Sequence, residues 1–112
     1  GRSPKASNSW QKYVANLTSR GYQAVLTSCW QLDHAEHSAS WKRYYACDPH
    51  NFTRSSRWRR LVVGGEACMW GEFVDRTNLM AKLWPSAAAV AERLWSSSQM
   101  RSHAQAAPRL NA

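Results

Sequence analysis

Leu61-Val62-Val63-Gly64-Gly65-Glu66-Ala67-Cys68-Met69-Trp70-Gly71-Glu72 is the stretch that decides how this chain is read. An aliphatic triplet runs into two glycines, and a tryptophan and a carboxylate then stand two positions apart. The aliphatic run is too short for a helix and predicts a strand over 61–63, with 64–75 as its exit. Glycines let a backbone turn sharply and approach a ligand closely, so Gly64-Gly65 predicts a turn. The Trp70-x-Glu72 that follows offers a small polar ligand one flat apolar wall and one hydrogen-bond acceptor. A pyranose, with apolar C–H faces and a rim of hydroxyls, calls for both. The competing readings are core filling for Trp70 and an ordinary surface carboxylate for Glu72.

Working outward, Trp10, Tyr13, Val14 and Leu17 recur at helical spacing and predict one buried helix face. Asn8 is placed to cap that helix, with Gln11 three residues on, and Arg20-Gly21 to stop it. Ala24–Thr27 is a second short apolar run and predicts a buried parallel strand. The loop over 28–40 carries Trp30-Gln31-Leu32-Asp33, and Trp41–Cys47 predicts a short helical turn. Downstream, Pro85 suits the first turn of a helix whose apolar face would be Ala87, Val90, Ala91, Leu94 and Trp95. Residues 99–112 carry no strong pattern. The order is α-β-loop-α-β-loop-α, without internal repeats.

Composition excludes a disordered tail: 44% of the 112 residues are hydrophobic and seven are tryptophan. The chain starts without Met and shows neither a signal-peptide pattern nor an apolar run of membrane-spanning length. The formal charge of +8 gathers at Lys42-Arg43 and at Arg54-Ser-Ser-Arg57-Trp58-Arg59-Arg60. A basic run with an embedded aromatic can meet phosphates or a nucleic acid. Without a zinc, RNA-recognition or helix-turn-helix pattern beside it, it reads as a solvated loop before a strand, and no nucleic-acid partner is expected. No metal-ligand spacing and no cofactor motif is present. Of three cysteines, Cys68 reads as a buried free thiol, while Cys29 and Cys47 flank the loop after the first strand and can close it as a disulfide. Sequence alone leaves that connectivity open. Asn16-Leu-Thr18 and Asn51-Phe-Thr53 are glycosylation sequons, consistent with a secretory route.

Beyond Glu72 the chain continues Phe-Val-Asp-Arg-Thr-Asn-Leu, then Leu83-Trp84-Pro85 and Ala89-Val-Ala-Glu-Arg-Leu-Trp-Ser. With Gly64 to Glu72, this resembles the C-terminal part of the catalytic domain of β-N-acetylhexosaminidases, glycoside hydrolase family 20. The likeness extends upstream through Gly21 to Trp30 and Trp41 to Pro49, loosens between them, and fades before residue 9 and beyond residue 98. It implies a fold: the C-terminal fragment of a (β/α)8 TIM barrel, about its last two strands and flanking helices, with both loops at the catalytic ends of the strands. Residues 1–8 would be an unmatched segment, 9–98 a partial catalytic domain and 99–112 a C-terminal segment. Parallel strands need neighbours on both sides, so the isolated chain is expected to be molten or aggregation-prone and inactive.

The resemblance also implies an activity: removal of terminal N-acetylglucosamine or N-acetylgalactosamine with retention. In this family the substrate's own acetamido oxygen attacks the anomeric carbon, and no enzyme nucleophile is needed. An adjacent Asp-Glu pair supplies the acid and steadies the acetamido nitrogen. This chain holds no Asp-Glu dipeptide, so no catalytic residue is expected within it. Sugar-binding residues remain. Trp70 matches the wall of the acetamido pocket, Glu72 the acceptor for the C4 hydroxyl, and Asp33 the residue that contacts the C6 hydroxyl. An acid at 33 does not favour sulfated or sialylated substrates; a protonated His34 would offset it, although His34 reads as a solvated loop residue. Glu66 is expected to serve the glycine turn.

Gln31 departs from the family, whose pattern is Trp-Tyr-Leu-Asp or Trp-Tyr-Leu-Asn. The missing tyrosine hydroxyl would orient the acetamido oxygen. Losing one donor aimed at developing charge costs about 2.7–4 kcal/mol. Residues 35–38, Ala-Glu-His-Ser, also depart from the usual Ile-Ser-Tyr-Gly. Implied partners are N-acetylhexosamine-terminated glycans, the remainder of the barrel and, as members often pair here, a second subunit. The implied location is lysosomal or secreted. The alternatives are a catalytically dead sugar-binding relic and a basic polyanion-binding module.

Overall fold

The structure, a computed structural model, describes residues 9–34 and 41–111. Asn8 and the 35–38 stretch lie outside the described residues. The elements are α1 (Ser9–Ser19), β1 (Ala24–Leu26), a 3-10 turn (Leu32–His34), α2 (Trp41–Ala46), α3 (Ser56–Arg59), β2 (Val62–Gly65), a 3-10 turn (Gly71–Phe73), α4 (Leu79–Leu83), α5 (Ser86–Trp95) and α6 (His103–Leu110). They divide into two compact units. Residues up to 28 together with 49–65 form one, and 29–48 together with 66–112 form the other.

The first unit is built on a parallel strand pair. Ala24 pairs with Val62, Val25 with Gly64 and Leu26 with Gly65, with an irregularity after Ala24 that skips Val63. Gly64 and Gly65 are therefore strand residues and not the predicted turn. Neither has a positive φ, and a side chain at Gly64 would meet open space. Leu26 and Val62 are buried, while Val25 and Val63 are exposed. The strands are thus half-buried rather than buried on both faces, because among the described residues nothing covers the second face.

α1 lies beside β1 and α3. Its inward stripe is Val14 and Thr18 with Trp10 half-buried, an i, i+4 row, whereas Tyr13 is 70% exposed. The predicted face was too wide, since Leu17 also faces outward. Thr18 can be buried because its hydroxyl donates to the carbonyl of Val14 at 2.8 Å. Gly21 stops the helix at φ +90°, with Gly21 N–H on Thr18 O and Tyr22 N–H on Leu17 O. That pairing satisfies the last carbonyls and needs glycine at the left-handed position. The basic run is not a plain loop: Ser55 accepts from Trp58 N–H and starts the single turn of α3.

The second unit is held by α2 on α5. Trp41, Tyr44 and Tyr45 of α2 are buried, and Cys29 is disulfide-bonded to Cys47, with 6.3 Å between the Cα atoms. α5 starts at Ser86, after a cis Trp84–Pro85 bond, with Pro85 at the cap and not within the first turn. Its buried residues are Ser86, Ala89, Val90 and Arg93, while Ala91 is exposed and Trp95 is 90% exposed. The inward face is rotated by about one residue, roughly 100°, from the apolar stripe. Polar groups make that possible. Arg93 Nε donates to Tyr45 O at 2.9 Å, its Nη2 donates to Met100 O at 3.2 Å, and its guanidinium lies over the Tyr45 ring.

α6 is absent from the sequence reading. Ser102 accepts from Gln105 N–H at 3.2 Å and opens it, the Ser-x-x-Gln half of a capping box. Ala106 enters the cluster of Trp41, Tyr45 and Ala89, with Ala107 and Leu110 packed against it. Glu92 ties α6 down by accepting from Arg109 Nε at 2.9 Å and Nη2 at 2.7 Å, and from the Tyr45 hydroxyl at 2.7 Å. These bonds, Arg109 first, hold the Glu92 carboxyl below its usual range, and burial with the Glu92 contact pushes the Tyr45 phenol up.

Candidate functional site

The site lies in the second unit, where two segments meet in a short parallel bridge. Gln31 bridges Cys68; Leu32 N–H donates to Cys68 O at 2.8 Å, and Cys68 N–H to Trp30 O at 2.9 Å. The register puts side chain 31 within reach of side chain 70. Trp70 Nε1 donates to Gln31 Oε1 at 2.8 Å. An indole N–H can only donate, so this contact fixes which end of the amide is oxygen. The indole itself is 61% exposed, which leaves a broad apolar face open among the described residues.

The bridge is anchored from behind. Trp30 is fully buried, and its Nε1 donates to Tyr44 O at 3.0 Å. The Tyr44 hydroxyl donates to Gln31 O at 3.1 Å and accepts from Arg43 Nη2 at the same distance. Two 3-10 turns then present the acids. Asp33 stands in the turn Leu32–His34 and is only 3% exposed; Glu72 stands exposed in the turn Gly71–Phe73, packed beside the first. Lys82, from α4, donates to the backbone carbonyl of Asp33 at 2.8 Å and pins that turn. Among the described residues, the Glu72 carboxylate makes no hydrogen bond.

The structure thus brings Gln31 and Trp70 into contact and sets Asp33 and Glu72 on neighbouring turns. Tyr44 and Lys82 were missed as supports, because their bonds span 13 and 49 residues and leave no local signal. Glu66 does not serve a turn: it is exposed, and among the described residues only the Cys68 thiol approaches its Oε1, at 3.9 Å. Cys68 is free but half-buried, not buried, because the strand exit leaves one side open. His34 closes the Asp33 turn. Asn16 and Asn51 are exposed, in the first unit. Among the described residues no three His, Cys, Asp or Glu group closely enough to hold a metal ion, and no helix is long and apolar enough to cross a membrane.

An exposed indole thus stands beside two acid-bearing turns in a small α/β segment. The chain belongs to glycosyl hydrolase family 20, whose catalytic-domain model matches residues 3–98. It is similar to the β-hexosaminidase subunit beta of Rattus norvegicus, 47% identical over 90 residues, covering 80% of this chain and 17% of the relative. It is also similar to the β-hexosaminidase subunit alpha of Bos taurus, 51% identical over 85 residues, covering 76% of this chain and 16% of the relative. The X-ray structure of Flavobacterium johnsoniae chitobiase superposes with a TM-score of 0.77 at 28% identity, covering 90% of this chain and 15% of that one. The chain therefore spans less than a fifth of the length of these relatives.

Proposed function

We propose that this chain is the sugar-binding end of a β-N-acetylhexosaminidase, within which 9–98 form about the last two strands and flanking helices of a (β/α)8 catalytic barrel. The remainder of the barrel supplies the other strands and the Asp-Glu pair, and it covers Val25 and Val63, which are exposed here. The observation that carries the reading is the Trp70–Gln31 contact, flanked by the turns of Glu72 and Asp33. Trp70 forms the wall of the acetamido pocket and excludes water from it. Glu72 accepts from the C4 hydroxyl as a charged acceptor, and Asp33 from the C6 hydroxyl. The substrate is a terminal β-linked N-acetylhexosamine on a glycoconjugate, cleaved with retention by its own acetamido group. No cofactor or metal is needed for that chemistry.

A lysosomal or secreted location agrees with the Cys29–Cys47 disulfide. Of the two sequons, Asn51 is the better acceptor, since Thr18 of the first is 1% exposed and bonded into α1. Pairing of subunits through this region belongs to the same reading. A second reading, a sugar-binding relic without turnover, is favoured by Gln31 itself, an amide where the family pattern has a tyrosine hydroxyl.

The test is hydrolysis of an aryl N-acetyl-β-glucosaminide by the full polypeptide that contains this chain, beside Glu72→Gln. Turnover in the parent and a kcat/KM at least about tenfold lower in Glu72→Gln supports the enzyme. Binding without turnover supports the relic; neither binding nor turnover sinks both.

A further inference from the structure

The basic run finds no use in the sugar site, yet it lines a cleft of about 370 Å³ in the first unit. The lining is Thr18, Ser19 and Gly21 from the end of α1, with Arg57, Trp58, Arg60 and Leu61 from α3 and the entry to β2. Its hydroxyl donors are spent: Thr18 donates to Val14 O and Ser19 to Asn16 O. Of the carbonyls of the last α1 turn, which would oppose an anion, those of Leu17 and Thr18 are taken by the N–H groups of Arg20, Gly21 and Tyr22. The guanidiniums of Arg57 and Arg60 are different. Among the described residues, neither makes a hydrogen bond or ion pair, and no carboxylate lines the cleft. The indole N–H of Trp58 likewise has no acceptor among them. Two cationic forks and one neutral donor line the same cleft.

We infer that this cleft binds a sulfate or phosphate monoester carried on a sugar, with Arg57 and Arg60 on the ester oxygens and Trp58 beside the ring. Guanidinium forks match tetrahedral oxyanions in geometry, and an indole suits the apolar face of a pyranose. The site shares no residue with Gln31, Asp33, Trp70 or Glu72, so it stands independently of the glycosidase reading. Arginine keeps its charge at every relevant pH. A sulfate ester is therefore held equally at pH 5 and pH 7, whereas a phosphate ester weakens as its dianion takes up a proton, with a pKa of about 6.

The experiment is calorimetric titration of the full polypeptide at low salt with glucose 6-sulfate, glucose 6-phosphate, inorganic sulfate and glucose. Glucose lacks the acetamido group that the proposed sugar pocket encloses, so these probes favour that pocket less than an N-acetylhexosamine would. The sulfate and phosphate esters are expected to bind, and glucose is not. Arg57→Ala and Arg60→Ala should each weaken binding by about tenfold or more, and Arg57→Lys by less, because a point charge replaces a fork. Arg101→Ala removes an exposed cation elsewhere and should change affinity by less than about twofold. Turnover of the aryl glycoside should not move in any of these variants. The assignment fails if Arg101→Ala weakens binding as much as Arg57→Ala. It fails also if inorganic sulfate binds as tightly as glucose 6-sulfate. Tighter binding of a single-stranded RNA, with a steep salt dependence, would make the run a polyanion patch and overturn it too.

Discussion

If the proposed activity holds, Gln31→Tyr should raise the turnover of the full polypeptide, by an amount that the Trp70 contact limits. In the proposed site, a phenol at 31 restores a donor aimed at the acetamido oxygen as it becomes the attacking group. Such a donor is worth about 2.7–4 kcal/mol in the transition state. The same change removes the amide oxygen that holds Trp70 Nε1 at 2.8 Å. That bond is neutral and its indole is exposed, so water can replace it in part, and the loss is about 0.5–1.5 kcal/mol. The balance is a gain of about 1.2–3.5 kcal/mol, or about eightfold to a few hundredfold in kcat at 1.36 kcal/mol per decade. KM should rise modestly as the indole wall loosens. Gln31→Glu separates the two effects, since a carboxylate still accepts from Trp70 but offers no donor; its kcat should show none of the gain, with little change in KM. Steady-state kinetics on an aryl N-acetyl-β-glucosaminide measures both. An unchanged kcat in Gln31→Tyr, with the fold intact by circular dichroism, would refute the role given to position 31.

Three further predictions follow from the packing. Glu92 has its carboxyl held below the usual value of about 4.5, chiefly by Arg109, so its stabilisation is present above that value and lost as pH falls through the lower folded value. Glu92→Gln should therefore lower the denaturation midpoint at pH 7, and the difference should shrink as pH falls below the usual carboxylate range; a gap that does not shrink on acidification would contradict it. Lys82→Met removes the donor to Asp33 O, so KM should rise with kcat little changed, at a stability cost of about 1.5 kcal/mol. An unaltered KM would show that Lys82 does not position Asp33. Removing the Cys29–Cys47 bridge by a double serine substitution opens a loop whose ends are 18 residues apart, expected to cost about 3 kcal/mol in denaturant unfolding of the full polypeptide. No shift in midpoint would mean the bridge constrains nothing.

Local signals were legible in the sequence, and long-range ones were not. Gly21 as a helix stop and the aliphatic runs at Ala24 and Val62 were readable because each follows from its own neighbours. The inward face of α5 was misread because hydrophobicity points to Trp95, whereas Arg93 is buried by carbonyls that only the fold brings near. α6 was passed over since its core residue is a lone alanine, although Ser102-x-x-Gln105 announces its start. Gly64-Gly65 looked like a turn because glycine permits one; partners in β1 made it a strand instead. The residue types of the site were readable, but the Trp70–Gln31 bond was not, since it joins side chains 39 positions apart through a bridge at Cys68.

The most direct test of the central claim is calorimetric titration of the full polypeptide with N-acetylglucosamine and with glucose, in the parent and in Trp70→Ala. The account predicts that the parent binds N-acetylglucosamine in preference to glucose, and that Trp70→Ala loses most of this preference while retaining its fold. Equal affinity for the two sugars, or a preference that survives Trp70→Ala, would contradict it.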